Sequence, residues 1–307
     1  MIIVNKLLYK ENTMSNFATL KKTSSALDRL TKEIEKINAP AEKKEDDRFW
    51  KLERDKAGNG SAIIRFLPAP AVDGDDALPW IRYFDHGFKG PSGKWYIEKS
   101  LTSIGQKDPV SDYNSELWNS TTDDKSPARK QAREQKRRLH YISNIYIVSD
   151  PKNPENEGKI FLFKYGKKIF DKITLAMNPE FEGDEPLNPF DFWKGANFKL
   201  RIRTVDGYPN YEQSVWENPS ALTDDAELES IWKKEYSLQE FIDPKSFKTY
   251  DELKRRLTEV VGAPVEKVVK PDVFRATSKQ QSVNEEDFSV DDDEDEDLKA
   301  FKALADD

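Results

Sequence analysis

The chain has 307 residues, 36% hydrophobic and 35% charged, with a formal net charge of −8 and no cysteine. That is polar for a globular protein, so part of the length is expected to stay outside any packed core. Lack of thiols excludes disulfides, thiolate metal sites and cysteine nucleophiles, and no apolar run approaches the roughly 18 residues a membrane helix needs.

The charge is unevenly spread. Residues 285–307 hold 12 acidic and 2 basic residues, which leaves 47 basic and 45 acidic residues in 1–284. Between Lys125 and Phe170 there are 12 basic residues and 4 acidic ones. Such a separation predicts an anion-binding body and an acidic segment able to detach from it.

Met1-Ile2-Ile3-Val4 is apolar but runs into Lys6 and Lys10 with no cleavage site. It does not read as a signal peptide, and the chain is expected in the cytoplasm. Met14-Ser15-Asn16 reads as a natural start, with residues 1–13 as a start-site extension. Leu27, Leu30, Ile34 and Ile37 then fall on one face of a helix opened by Ser25 and Asp28 and closed at Ala39-Pro40.

From Phe49 to about Gly207 the pattern is mainly β. Ala62 to Leu67, Trp80 to Phe84 and Lys94 to Ile97 read as strands, the last two joined by a Gly-Pro-Ser-Gly turn at residues 90–93. Tyr141 to Val148 and Lys159 to Tyr165 form an expected strand pair. Phe198, Leu200 and Ile202 alternate with Lys199, Arg201 and Arg203, the signature of a half-buried strand with a basic outer face. Helices are expected over 224–236 and 249–261, the second ended by Gly262. Order is expected to fade after Pro264, where the chain turns polar and then acidic.

Residues 129–138 contain six basic residues in ten and lead straight into His140 and Tyr141. The second strand of the pair carries Phe161, Phe163 and Tyr165, followed by Lys167, Lys168 and Phe170. Unpaired nucleic acid needs cations for its phosphates and flat faces for its bases, and this stretch interleaves both. With two histidines, no cysteine and no phosphate loop, zinc-protease or nucleophile-elbow motif, the chain is not expected to be an enzyme.

The chain resembles the single-stranded DNA-binding (helix-destabilising) protein family of T-even-type bacteriophages. The resemblance rests on residues 57–68, His86-Gly87-Phe88-Lys89, residues 93–98, Asp150-Pro151 through Lys159, Tyr165-Gly166-Lys167-Lys168-Ile169, and Trp193 through Phe198, in order from about Trp50 to Gly262. It implies an α+β fold, mainly β with helices: an OB-fold barrel core with insertions over 48–262. An N-terminal helical cooperativity arm over 1–47 and a disordered acidic partner-binding tail over 263–307 flank it. It further implies cooperative coating of single-stranded DNA without strong sequence preference in phage replication, recombination and repair, in the cytoplasm of the infected bacterium. An RNA-binding OB-fold protein or translational regulator is the alternative.

By residue, the resemblance places Tyr141, Phe163, Tyr208 and Tyr211 at aromatic positions of the cleft and Lys136, Arg137 and Arg138 in its basic segment. Lys167 and Lys168 join them. Trp118 stands where the family commonly has tyrosine, and Ala132 replaces another cleft tyrosine. Lys21, Lys22, Thr23 and Ser24 match a motif for head-to-tail self-association, and Leu298, Phe301 and Leu304 in the tail suit a replication or recombination partner. The family's founding members hold zinc through one histidine and three cysteines. Here His86 remains, but the other positions read Ser100, Asp108 and Ser111, so no zinc and no other cofactor are expected. The segment from Lys99 to Asn114 must then be held by packing alone or be more mobile.

Overall fold

The computed structural model describes residues 46–205 and 207–262. The start at Met14, the expected helix from Leu27 to Ile37, the Lys21–Ser24 motif and the acidic segment lie outside the described residues.

Nine strands are present among the described residues: β1 (Phe49–Trp50), β2 (Gly60–Phe66), β3 (Ile81–Lys89), β4 (Trp95–Lys99), β5 (Arg138–Ser149), β6 (Ile160–Tyr165), β7 (Phe198–Val205), β8 (Tyr208–Asn210) and β9 (Val215–Trp216). Their hydrogen-bonded order is β1-β6-β5-β2-β7-β8, with β3 on β4 and β5, and β9 on β7. Strand β1 runs parallel to β6; the other pairings are antiparallel.

The long strand β5 organises the sheet. Along one edge its first half, Arg138 to Ile142, pairs with β3, and its second half, Ile145 to Ser149, pairs with β2. The opposite edge pairs with β6 from Tyr141 to Tyr146. Side chains alternate between two faces along a strand, so β5 feeds two cores. Tyr141, Ile145 and Ile147 join the main core with Ile64, Phe66, Phe163, Tyr165 and Phe198. Ile142 joins a second cluster with Ile81, Tyr83, Leu162 and Leu238. Phe66 is fully buried at the centre of the main core, with ring centroids 5.7 Å from both Tyr165 and Phe190 and 6.0 Å from Trp216.

Five helices accompany the sheet: α1 (Pro109–Asn119), α2 (Pro127–Glu134), α3 (Lys167–Met177), α4 (Asp225–Trp232) and α5 (Tyr250–Val261). The first three fall within the stretch whose pattern reads as mainly β. Helices α1 and α2 open on Asp108-Pro109 and Ser126-Pro127, where the capping side chain accepts backbone N–H groups and proline fits the first turn. Helix α3 follows β6 directly and buries Ile169 and Ile173 at one-turn spacing. Helix α4 stops at Trp232, short of the expected Tyr236.

Helix α5 begins with a reciprocal capping box between Thr249 and Glu252. It lays Leu253, Leu257 and Val260 on Phe88 and Tyr96, whose rings stack at 5.2 Å. Its last turn is fastened to the β3–β4 turn: the Ser92 hydroxyl donates to the Val260 carbonyl at 2.6 Å. Gly90 lies so close that a Cβ there would sit 2.2 Å from that carbonyl oxygen. Gly90→Ala should therefore lift α5 off the hairpin and cost about 1–3 kcal/mol, the usual range for overpacking. Urea unfolding measures this, and an unchanged midpoint would refute the fastening.

Candidate nucleic-acid interface

The basic run from 129 to 138 is divided by the structure. Its first part lies on α2, packed beside α1. There the guanidinium of Arg129 lies 4.4 Å, and that of Arg133 5.2 Å, from the ring of half-buried Trp118. Arg129 also donates to the Thr121 carbonyl at 3.0 Å and pairs with Asp124, while Arg133 donates to the Asp124 carbonyl at 2.7 Å. These contacts hold both guanidinium groups against the indole, where a cation gains from the ring's negative face. Ala132, between them, is buried.

The second part leads into β5: Arg137 lies just ahead of the strand and Arg138 is its first residue. Arg137 lies with its guanidinium 4.3 Å from the centroid of Phe84. Arg138 points to the opposite face and donates from Nε to Asp85 at 2.9 Å. Its guanidinium fills the space over Gly87, where a Cβ would meet it at 2.2 Å. His140 Nε2 approaches the other oxygen of Asp85 at 3.1 Å. Burial works against the Asp85 charge, but His140, Arg138 and Lys164 outweigh it and hold the carboxyl well below the ordinary aspartate value. Lys136 is half-buried in the turn between α2 and β5.

On the face shared with Arg137, cross-strand register places Phe84 opposite Leu139 and Arg82 opposite Tyr141. Arg82 is exposed. Tyr141 is only 6% exposed: Phe170 stacks on it at 3.9 Å with ring planes 7° apart, and Tyr165 lies 5.7 Å away. Burial raises the Tyr141 hydroxyl above its ordinary value, opposed by nearby Arg82 and Lys167. Phe163 is enclosed by Trp50, Phe66 and Tyr165 in the main core. The partly exposed rings at this site include Phe84 and Phe170, and Phe170 meets Trp80 edge-on at 5.6 Å.

Lys167 and Lys168, read as following a strand, stand in the first turn of α3. Both are exposed, and Lys167 pairs with Asp171 at 2.8 Å. Tyr208, on β8, pairs with Val205 of β7. Tyr211 packs at the edge of the main core, and Lys172 of α3 donates to the next residue's carbonyl, Glu212, at 3.2 Å. The structure thus brings Arg137, Tyr141 and Lys167 together with Arg82, Phe84 and Phe170 on one face. Sequence reading missed Arg82 and Phe84 as site residues. Their signal was the alternation in Ile81-Arg82-Tyr83-Phe84, a cation and an aromatic two apart.

The segment from Lys99 to Asn114 is held by a buried polar network, not by packing alone. The Asp108 carboxylate accepts the backbone N–H groups of Leu101, Val110 and Ser111 at 2.9–3.1 Å and faces His86 Nε2 at 3.3 Å. His86 Nδ1 faces the Gln135 carbonyl at 3.0 Å, and Ser100 bonds Thr102. His86 Nδ1 is thereby engaged, Nε2 only lies against Asp108, and the Asp108 oxygens are taken by backbone amides. With hydroxyls in place of thiolates, this donor set does not fit a structural zinc ion.

Cations and aromatic rings on one face of a β-built domain suit the phosphates and bases of unpaired nucleic acid. Residues 58–261 match the family described as "gp32 DNA binding protein like". The chain is 38% identical over 229 residues to the single-stranded DNA-binding protein of Enterobacteria phage T4, covering 72% of each chain. It is 38% identical over 226 residues to that of phage T2, covering 71% of each. Over 85 residues, 26% of this chain and 70% of the relative, it is 46% identical to the single-stranded DNA-binding protein of Escherichia phage SV14. The chain belongs to the gp32 DNA-binding-protein-like family.

Asp85 yields a pH prediction. A carboxyl held below its unfolded value of about 3.9 contributes stability fully present above that pH and lost as pH falls through the folded value. Asp85→Asn should therefore lower stability near neutrality and flatten the acid limb of the unfolding curve below about pH 4. Urea titrations from pH 7 to 2 measure both effects; parallel acid limbs would refute the ion-pair reading.

Proposed function

We propose that this chain coats single-stranded DNA cooperatively and without strong sequence preference. It then serves phage replication, recombination and repair in the cytoplasm of the infected host, and acts by binding, not by catalysis. The observation that carries this reading is the Arg137–Phe84 stack. It sets a cation beside a ring on the face that also holds Arg82, Tyr141, Phe170 and Lys167. In this reading the central sheet is an OB-type barrel, supported by the way β5 pairs with β3 and β2 along one edge and β6 along the other.

Phosphates lie along Lys136, Arg137, Lys167 and Lys168, and bases stack toward Phe84, Phe170, Tyr208 and Tyr211. Tyr141 and Phe163 support those rings from beneath, and Arg138 keeps β3 and β5 in register. Trp118, with its two arginines, extends the surface along α1 and α2. Residues 21–24 mediate contact between neighbouring copies, and the acidic segment from Glu285 docks replication and recombination proteins when it is not competing with DNA for the cations. No zinc takes part; the His86–Asp108 network fills that structural role.

Phe84→Ala should cost about 1–3 kcal/mol of binding to oligothymidine, the worth of one stacked base. Arg137→Ala should weaken binding and lower the slope of log affinity against log salt by roughly 0.7. Quenching of tryptophan fluorescence reads both, and a full affinity for each variant would refute this face as the binding surface. Removing residues 285–307 should raise affinity, most visibly at low salt; equal affinities with and without them would refute the competition.

A further inference from the structure

The described residues also form an apolar groove of about 550 Å³ between α4 and the loop around residues 188–193. Phe192 and Leu228 form its floor, and Trp193 and Trp232 flank it, 57% and 39% exposed. Both indoles are fixed by their polar edges: Trp193 Nε1 donates to Asp225 at 2.7 Å and Trp232 Nε1 to the Ala69 carbonyl at 2.8 Å. Both residues keep part of their surface open to solvent. Beneath, the buried guanidinium of Arg65 donates to the carbonyls of Ser220 at 2.7 Å and Asp191 at 3.0 Å, which fixes the wall. Rigid, pre-set aromatic anchors around an apolar pocket are the anatomy of a protein-docking site.

Charge selects the occupant. The groove's lining contains Asp191, Asp225 and Glu229 and neither lysine nor arginine, with Lys233 pairing Glu229 from just outside it. Phosphates are repelled by such a rim, and so is the segment from Glu285 to Asp307 with its 12 acidic residues. The other segment outside the described residues has the opposite character. Residues 1–45 carry nine basic and six acidic residues, with Lys21 and Lys22 just ahead of the apolar series Leu27, Leu30, Ile34 and Ile37. An apolar series with cations at its start matches an apolar floor with carboxylates at its edge.

We infer that this groove receives the N-terminal segment of a second copy of the chain, which makes it the receptor for the self-association proposed above and rests on that reading. Copies lying side by side on one strand present the segment of one to the groove of the next. The lysines lie toward Asp225 and Glu229, and the apolar series covers Trp193 and Trp232.

The test uses the full chain on poly(dT) and on an oligonucleotide with room for one copy. Asp225→Lys combined with Glu229→Lys should lower the cooperativity of poly(dT) binding at least tenfold and leave single-copy affinity unchanged. Adding Lys21→Glu and Lys22→Glu to that variant should restore cooperativity, an outcome that mere damage to the groove would not allow. Cooperativity kept by the lysine variant would overturn the groove as receptor, and so would reduced single-copy affinity, which would assign the groove to DNA. Failure of the charge exchange to rescue would also overturn it. Deleting residues 1–45 separates the two claims: if that deletion leaves cooperativity intact, the self-association reading itself fails.

Discussion

The two-residue alternation of β5 is the constraint on which the rest of the domain depends. This strand is hydrogen-bonded along both edges, to β6 on one and to β3 and then β2 on the other. Slipping it by one residue would exchange the two cores it feeds and turn every side chain to the wrong face. The basic run divides where this strand begins: Arg137, just ahead of it, lies over Phe84, and Arg138, its first residue, goes to Asp85. Neighbouring arginines of identical chemistry thus take different work, one set over an aromatic ring and one spent on joining β3 to β5.

Aromatic rings are layered behind that face. Phe163 and Tyr165 lie inside, Tyr141 stands on them, and Phe170 of α3 covers Tyr141. A layered stack transmits rigidity outward, because each ring is fixed by the one behind it, and a base meeting the outermost ring loses little to reorganisation. The α1–α2 pair achieves the same economy by other means, with Asp124 and the Thr121 carbonyl holding the arginines that lie on Trp118.

The segment before α1 shows how a buried polar network can hold a loop. Asp108 caps α1, ties down Leu101 and faces His86 at once. A buried carboxylate is tolerated there because backbone amides and an imidazole meet its oxygens. Arg65 does the converse beside the groove: a buried cation whose terminal nitrogen meets the carbonyls of Asp191 and Ser220, which shapes the groove's wall.

Much was legible in residue order. A short apolar run located β2, the β-rich stretches 141–148 and 159–165 located β5 and β6, and alternation located β7; the turn glycines at 90 and 93 located the β3–β4 hairpin; and Thr249 with Gly262 bounded α5. These are local signals, and they need no partner to be read. Helices α1 and α2, capped at Asp108-Pro109 and Ser126-Pro127, went unread: α1 carries only Val110, Tyr113 and Leu117 at helical spacing, and α2 has, besides Pro127, no apolar residue larger than alanine. The joint presence of cations and aromatics between 125 and 170 also followed from order alone. Which ring lies open and which is buried, and which arginine is spent on a carboxylate, only the folded chain decides. Asp85 lies 53 residues from Arg138, and Phe84 lies as far from Arg137, and no local pattern encodes which pairs across the sheet will meet.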